Sequence, residues 1–153
     1  MSYYEALLFC HLLAAMAWVG GDLMLQMFYL RARANGPAAV IQFAQNAEWV
    51  GLRLLNPVAL LAAIFGALLV IEVDGYEFSQ FWISAALAMF LASAITGAVF
   101  LGPESGRIGM LAEERGADDP EVQSRVARVL LVSRIELMLL VLIVLDMVVK
   151  PGL

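Results

Sequence analysis

Long runs of apolar residues, separated by short polar connections, dominate the chain from one end to the other. Four such runs occur: Tyr4–Leu30, Trp49–Ile71, Phe78–Leu101 and Val129–Val149. About 20 apolar residues in a helix span the hydrocarbon core of a bilayer, because each residue adds about 1.5 Å to the helix. Within lipid a backbone must satisfy its own hydrogen bonds, and none of the runs alternates polar and apolar residues as a barrel strand does. The pattern therefore predicts an all-α integral membrane protein, a four-helix antiparallel bundle.

Turn residues divide the chain into helices that extend past the apolar runs on one side. Asn35-Gly36-Pro37 suits the end of one helix and the start of the next, and Asp119-Pro120 supplies an N-cap followed by proline at the first position. Pro57 removes a backbone donor inside the second helix and predicts a kink there. We expect one transmembrane domain over 1–153, with helices at about 3–34, 37–72, 78–115 and 120–149 and long extensions into the cytoplasm.

The composition and the distribution of basic residues agree with this class and predict an orientation. Hydrophobic residues make up 63% of the chain and charged residues 15%, against about 45–50% and about 25% in soluble domains. Of the nine basic residues, all except Lys150 lie near the first and third connections. Basic residues favour the cytoplasmic side. The sequence therefore predicts a multi-pass protein of the bacterial inner membrane with both termini on the non-cytoplasmic side.

Several functional classes have no support in the sequence. It contains no G-x-S-x-G and no phosphate-binding loop, and no basic stripe for nucleic acid. Cys10 is the single cysteine, which excludes a disulfide within the chain. The predicted surroundings are the lipid bilayer, with no nucleic-acid partner. A homodimer is an open alternative, since Ala94 and Gly97 in the third helix would let a second helix approach closely.

Ionisable groups within the apolar runs cost roughly 2.5–3.5 kcal/mol each on insertion scales, so they need a physical reason. Depth along the helices predicts an inner polar layer consisting of Asp22, Gln26, Glu48, Arg53, Asn56, Arg134 and Glu136. One interpretation is structural: carboxylates and arginines at similar depth would pair between helices and hold the bundle together. The other is functional: the layer would line a path or site for a headgroup, a carboxylate or a proton.

A second group, the outer polar layer, consists of His11, Asp146 and Lys150, with Cys10 and Met147 nearby. His11, Trp18 and Asp22 fall on one face of the first helix at about 100° per residue. His11 has three interpretations: a hydrogen-bond donor to Asp146 or a backbone carbonyl, an axial haem ligand opposite Met147 or another group, or a copper ligand. A sole histidine excludes bis-histidine haem within one chain and makes a histidine-rich zinc site implausible.

The chain resembles small bacterial membrane families over its four helices, and the parts that carry the resemblance lie in the first, second and last helices. These parts are His11-Leu-Leu-Ala-Ala-Met-Ala-Trp18-Val-Gly20-Gly21, Arg53-Leu-Leu-Asn-Pro57 with Gly66, and Val148-Val149-Lys150-Pro151. The families are the haem-containing membrane protoporphyrinogen oxidase, the copper-resistance D proteins and a family of predicted integral membrane proteins of unknown function. The oxidase resemblance implies that His11 is the haem-associated histidine and that Lys150 is the essential lysine. That family also has a histidine in its third helix, whereas 78–101 of this chain contains none.

Three functional hypotheses follow. The first is a membrane redox protein that binds haem b, with His11 as the metal ligand, Trp18, Asp146, Met147 and Lys150 around the cofactor, and His11 and Lys150 as candidate catalytic residues. The second is binding or transport of a small solute, an ion or copper. It would use the intramembrane cluster Asp22, Arg53, Asn56, Arg134 and Glu136 and the outer His11–Asp146 pair as gates. The third is a non-catalytic membrane scaffold in which both layers only hold the helices together.

Overall fold

The computed structural model describes residues 1–152 and contains four long helices, which we number α1 to α4. They are α1, Tyr3–Ala34; α2, Pro37–Glu72; α3, Phe81–Arg115; and α4, Pro120–Val149. No strand occurs within the described residues. The prediction of an all-α bundle is confirmed, and Leu153 of the expected domain lies outside the described residues.

Local chemistry explains where the helices begin. α1 starts with a capping box: the Glu5 N–H donates to Ser2 Oγ at 3.2 Å, and the Glu5 carboxylate accepts from the Ser2 N–H at 2.7 Å. Gly36 has a φ of 99°, a backbone conformation that residues with a side chain rarely adopt. It turns the chain into Pro37 at the start of α2. At the start of α4 the Asp119 carboxylate accepts from the Glu121 N–H at 2.8 Å.

The third helix begins later than its apolar run predicts. The expected start was Phe78, and α3 starts at Phe81. The Gln80 side-chain amide donates to the Gly75 carbonyl at 2.8 Å, and the Gln80 backbone N–H donates to the Glu77 carbonyl at 3.0 Å. These two bonds close a turn over 77–80, and this turn delays the helix.

The connections place consecutive helices side by side in opposite directions. α1 packs mainly against 56–72 of α2, 37–50 of α2 packs against 102–115 of α3, and 81–95 of α3 packs against α4. Each half of α2 therefore has a different main partner. This change of partner occurs at the middle of α2, where its backbone is irregular.

Both α2 and α3 contain a wide π turn that is separated from a following proline by one residue. In α2 the π turn is Gly51–Leu55, followed by Asn56 and Pro57, and in α3 it is Thr96–Leu101, followed by Gly102 and Pro103. A proline lacks the N–H that the carbonyl four residues earlier would accept, so the preceding turn must rearrange. Single π turns are frequent at functional sites. The predicted kink at Pro57 is thus realised as a π turn.

Two groups of buried apolar residues hold the bundle together at different depths. The middle apolar cluster consists of Trp18, Leu55, Ala59 and Leu140. The inner apolar cluster, toward the end that carries most arginines, consists of Tyr29, Ala32, Val40, Ile41, Ala44, Ile108, Val122 and Val126. Ile108 and Val122 are 0% exposed, so the parts of the helices beyond the apolar runs are packed and not frayed.

Three of the helices have the length and composition of membrane spans. α1, α2 and α3 are long and apolar enough to cross a bilayer, and only 17–22% of each most apolar window is buried inside the bundle. The remaining apolar side chains face outward. A soluble monomer rarely exposes an apolar surface of this extent, whereas lipid covers it without cost.

The fourth helix carries Arg134, Glu136 and Asp146 among its apolar residues, and it nevertheless runs the whole length of the bundle. At one end Lys150 Nζ donates to Tyr76 Oη at 2.6 Å, between α2 and α3. Near the other end Arg125 contacts the far part of α3. The chain is therefore a multi-pass membrane protein in which α4 accompanies the three apolar spans.

Candidate functional site

A cavity of about 120 Å³ lies between all four helices, at the level of the two π turns. Its polar lining residues are Asp22, Gln26, Glu48, Asn56, Ser105, Ser133 and Glu136. Three of these are carboxylates, and no lining residue is basic. The volume is enough for several water molecules or a hydrated ion and well below the 300–1,000 Å³ that is typical of sites for larger ligands.

Apolar side chains line the cavity at both ends. Trp18 and Leu55 belong to the middle apolar cluster and line one end, where the Trp18 ring packs edge-on against Phe90 at 5.7 Å between ring centres. Tyr29 and Ile108 belong to the inner apolar cluster and line the other end. The site is therefore a partly open polar chamber between two apolar layers, which we call the two apolar seals.

Two carboxylates in the chamber each have one buried oxygen without a hydrogen-bond partner within the described residues. Asp22 is 8% exposed, and its Oδ2 has no hydrogen-bond partner within the described residues. Glu136 Oε1 accepts from Ser93 Oγ at 2.8 Å, and its Oε2 likewise has no partner. A buried polar atom without a partner costs about 1–3 kcal/mol. Oxygens that the fold leaves free at this cost are suited to binding a cation or its hydration water.

Glycines bring the other polar groups close to the backbone. A Cβ added to Gly106 would lie 2.8 Å from Glu48 Oε1, so the Glu48 carboxylate rests against the bare backbone of α3. A Cβ at Gly97 would lie 3.9 Å from both Asn56 Oδ1 and Glu136 Oε1. The missing side chain at Gly106 therefore lets Glu48 of α2 approach α3, whereas at Gly97 a Cβ would be in ordinary contact with Asn56 and Glu136.

The arginines predicted for the same cluster are not part of the cavity. Arg53 and Arg134 are exposed on the outside of the bundle, and neither forms an ion pair within residues 1–152. Within residues 1–152 the inner-layer carboxylates therefore do not pair with these arginines, as the structural interpretation of that layer would require. Arg53 lies inside a π turn, where successive side chains do not follow the regular rotation of about 100° per residue. Arg134 follows Ser133, which faces the cavity, so the Arg134 side chain points about 100° away from that direction.

The ion pairs of the described residues lie beyond the apolar runs. Glu104 is 5% exposed, and its Oε1 accepts from Arg125 at 2.6 Å. Arg125 also contacts Glu121 at 3.1 Å, and Arg115 contacts Glu121 at 2.7 Å. Hydrogen bonds from Arg125 to Glu104 and Glu121 raise the pKa of the Arg125 guanidinium. The sequence analysis missed this network: Arg125–Glu104 and Arg115–Glu121 join different helices, whereas Arg125–Glu121 lies within α4 at an i, i+4 spacing that the sequence shows.

His11 is held by the backbone of α2. Its Nδ1 lies 2.8 Å from the Ala62 carbonyl oxygen and donates to it, because a carbonyl oxygen can only accept. A Cβ at Gly66 would lie 3.1 Å from the ring, so glycine makes room for the imidazole. Of the interpretations of His11, a bond to a backbone carbonyl is the one found, and the bond to Asp146 is not formed. His11 is not among the residues that line the cavity.

Lys150 is enclosed by aromatic rings at the opposite end of the bundle from the arginines. Its Nζ bonds to Tyr76 Oη and lies 5.0 Å from the centre of the Tyr76 ring and 5.3 Å from that of Trp82. Asp146 Oδ2 is buried without a partner, and Met147 is half-buried. Within residues 1–152 no three His, Cys, Asp or Glu side chains gather as metal ligands. Within the described residues His11, Asp146 and Lys150 form no hydrogen bond or ion pair with one another.

A family of predicted integral membrane proteins, DUF2269, has a sequence model that matches residues 5–151 of the chain. The chain belongs to this family, and that resemblance is confirmed. No curated protein and no solved structure matches the chain. These comparisons give no link to the protoporphyrinogen oxidase or copper-resistance families, so both relations remain predictions.

Proposed function

We propose that this member of the DUF2269 family binds small cations, the proton included, in the carboxylate-lined cavity and conducts them across the membrane. One observation carries the proposal: Asp22, Glu48 and Glu136 line an intramembrane chamber that has no basic lining residue. Carboxylates at such a depth are expensive without a countercharge and commonly belong to ion or proton pathways. Oxygen ligands of this kind suit hard cations and protons.

Passage requires the two apolar seals to open in turn. The π turns Gly51–Leu55 and Thr96–Leu101 lie at the level of the chamber, and residues of both line it. A π turn next to a proline lacks a regular hydrogen-bond ladder, so each helix has a weak point there. We propose that bending at these points moves the helical halves that carry the seals.

The proposed orientation directs the inner apolar cluster toward the cytoplasm, with both termini on the opposite side of a bacterial inner membrane. Arg31, Arg33, Arg107 and Arg115 lie at that end, and the connection between α2 and α3 has acidic residues instead. This arrangement follows the positive-inside rule. Labelling of a cysteine introduced at Asp74, in intact cells, tests the orientation.

Cation flux into proteoliposomes tests the function. Vesicles containing the purified protein and a pH-sensitive dye would be given a potassium diffusion potential, and the same preparation would be assayed with Na⁺ and K⁺ indicators. We expect flux above that of empty vesicles and at least a tenfold loss in Asp22→Asn and Glu136→Gln. Glu113→Gln, an equal change of charge outside the cavity, is the matched control and should behave as wild type.

Two results would contradict this proposal. If wild-type vesicles conduct neither protons, Na⁺ nor K⁺, the cavity has no transport role. If Asp22→Asn and Glu136→Gln change the unfolding midpoint of the protein but leave the flux unchanged, their role is structural. That result supports the scaffold hypothesis, in which the polar layers only join the helices.

We propose haem b ligation by His11 as a second function, because one observation favours it. A bond from Nδ1–H to a backbone carbonyl fixes the tautomer in which Nε2 carries the lone pair, as in many metal-binding histidines. The cavity itself does not fit a haem, since its 120 Å³ are too small and His11 does not line it. Any haem would therefore bind at the outer surface of α1 and α2.

Absorbance of protein purified from haem-sufficient cells tests this second function. A Soret band that is lost or shifted in His11→Ala would support ligation by His11 and make protoporphyrinogen oxidation the next assay. A colourless wild-type protein that takes up no added haem would eliminate it. Neither outcome depends on the cation assay, so the two proposals can be judged separately.

A further inference from the structure

A second concave surface, the α1–α2 groove, lies between the inner half of α1 and the first half of α2. It has a volume of about 570 Å³. The lining residues are Gly21, Met24, Leu25, Phe28, Arg31, Ala32, Asn35, Ala39, Gln42, Phe43, Asn46, Ala47, Val50 and Leu54. This volume lies within the 300–1,000 Å³ that is typical of sites for small organic ligands. The groove adjoins the cavity but has a different chemical character.

The polarity of the groove changes along its length, and it changes at the same level on both helices. Gly21 contacts Leu55, which fixes the register of the two antiparallel helices. From this contact to Phe28 the lining of α1 is apolar, and Ala47 to Leu54 of α2 is apolar beside it. Beyond that level the polar lining residues are Arg31, Asn35, Gln42 and Asn46.

The apolar part has the length of one lipid leaflet. The ten helical steps from Gly21 to Arg31 extend about 15 Å along a helix, which is half of the roughly 30 Å hydrocarbon core. Trp49 is 62% exposed near the level where the groove becomes polar. Exposed tryptophans favour the boundary between hydrocarbon and headgroups. The groove therefore runs from near the bilayer centre to the headgroup level.

The charge of the groove favours an anionic headgroup. Arg31 is exposed, forms no ion pair within residues 1–152, and shares the groove with no acidic residue. Guanidinium groups bind phosphate strongly, and the amides of Asn35, Gln42 and Asn46 add hydrogen-bond donors. Anionic lipids are attracted to basic residues at a membrane surface.

We propose that the α1–α2 groove binds one anionic phospholipid. An acyl chain lies along Met24, Phe28, Val50 and Leu54, and the phosphate pairs with Arg31. This site is separate from the cation cavity. Leu25, Phe43 and Ala47 line both and form the wall between them.

Native mass spectrometry of the full-length protein tests the proposal. The protein would be incubated in detergent with equal amounts of phosphatidylglycerol and phosphatidylcholine and then released from the micelle. We expect one retained phosphatidylglycerol per chain. Arg31→Gln should weaken this retention about fivefold or more, the effect of one basic contact with an anionic lipid. Arg33→Gln, which changes a neighbouring arginine outside the groove, should retain the lipid as wild type does.

A second pair of variants tests the apolar part. Met24→Trp fills the groove and should abolish retention, whereas Leu23→Trp enlarges a similarly exposed neighbour outside the groove and should not. Three results would overturn the proposal: equal retention of both lipids, equal losses in Arg31→Gln and Arg33→Gln, or a wild-type dimer without lipid that Met24→Trp converts to monomer. The last result would assign the groove to a second copy of the chain.

Discussion

Shortening Ile108 to alanine weakens the inner seal of the cavity and the packing of the helical extensions together. Ile108 is 0% exposed, belongs to the inner apolar cluster and lines the cavity. The change removes three carbon atoms, worth about 0.8 kcal/mol each in transfer free energy. The space left behind raises the loss, so we expect the free energy of unfolding to fall by about 3–4 kcal/mol. Because the new space adjoins the chamber, cation flux should rise.

Val122→Ala separates these two effects. Val122 is equally buried in the same cluster but does not line the cavity. Its loss of two carbon atoms should cost about 2–3 kcal/mol without any rise in flux. Met110→Ala, at a residue that is 65% exposed, should change the unfolding free energy little.

The two assays are unfolding by increasing the fraction of SDS in mixed micelles and cation flux in proteoliposomes. A loss below about 1 kcal/mol in Ile108→Ala would refute the packed inner cluster, since full burial of isoleucine predicts more. An equal rise of flux in Val122→Ala would refute the seal, because general loosening would then explain the leak. Unchanged flux in Ile108→Ala at the expected stability loss would also refute it.

Two further predictions concern the outer half of the bundle. Gly66→Ala puts a Cβ 3.1 Å from the His11 ring, so it should lower the free energy of unfolding by about 1–3 kcal/mol through overpacking and change the ¹⁵N shift of the imidazole. Gly20→Ala is the control, because its Cβ meets open space. Equal stability of both variants would contradict the contact. Lys150→Met should lower the unfolding free energy by about 1–2 kcal/mol through loss of its aromatic contacts and alter Trp82 fluorescence. Lys150→Arg keeps a cation there and should retain the wild-type stability and fluorescence. An unchanged fluorescence spectrum in Lys150→Met would contradict the contact.

The fold was predictable because its determinants are local in the sequence. The length of the apolar runs predicts a helical membrane protein. Gly36-Pro37 and Asp119-Pro120 predict the starts of two helices, and the structure has helices that begin at Pro37 and Pro120. The start of α3 was placed too early because its delay depends on a side-chain bond from Gln80 to the Gly75 carbonyl. Hydropathy carries no information about such a bond.

The residue types of the candidate site were predictable from the sequence, but the contacts that each side chain makes were not. Asp22, Asn56 and Glu136 do lie around one cavity, as polar residues inside apolar helices suggest. Arg53 was grouped with the carboxylates by its depth along the helix, and depth does not give the direction in which a side chain points; Arg53 lies in a π turn and is exposed. The partner of His11 is a backbone carbonyl, and no residue type in the sequence identifies it.

Carboxylates face the cavity and arginines face outward, and this separation is the strongest argument that the cavity does more than hold the helices together. Interhelical pairing would place each buried carboxylate opposite a basic side chain, as Arg125 is placed against Glu104 beyond the apolar runs. Inside the bundle the opposite is found: Asp22 and Glu136 face the chamber, while Arg134, two residues from Glu136, faces outward. If the fold required the charge of these carboxylates to be neutralised, the Arg134 side chain could have faced the chamber. Leaving two carboxylates without it costs stability, and a cation supplied from outside the protein would recover that cost.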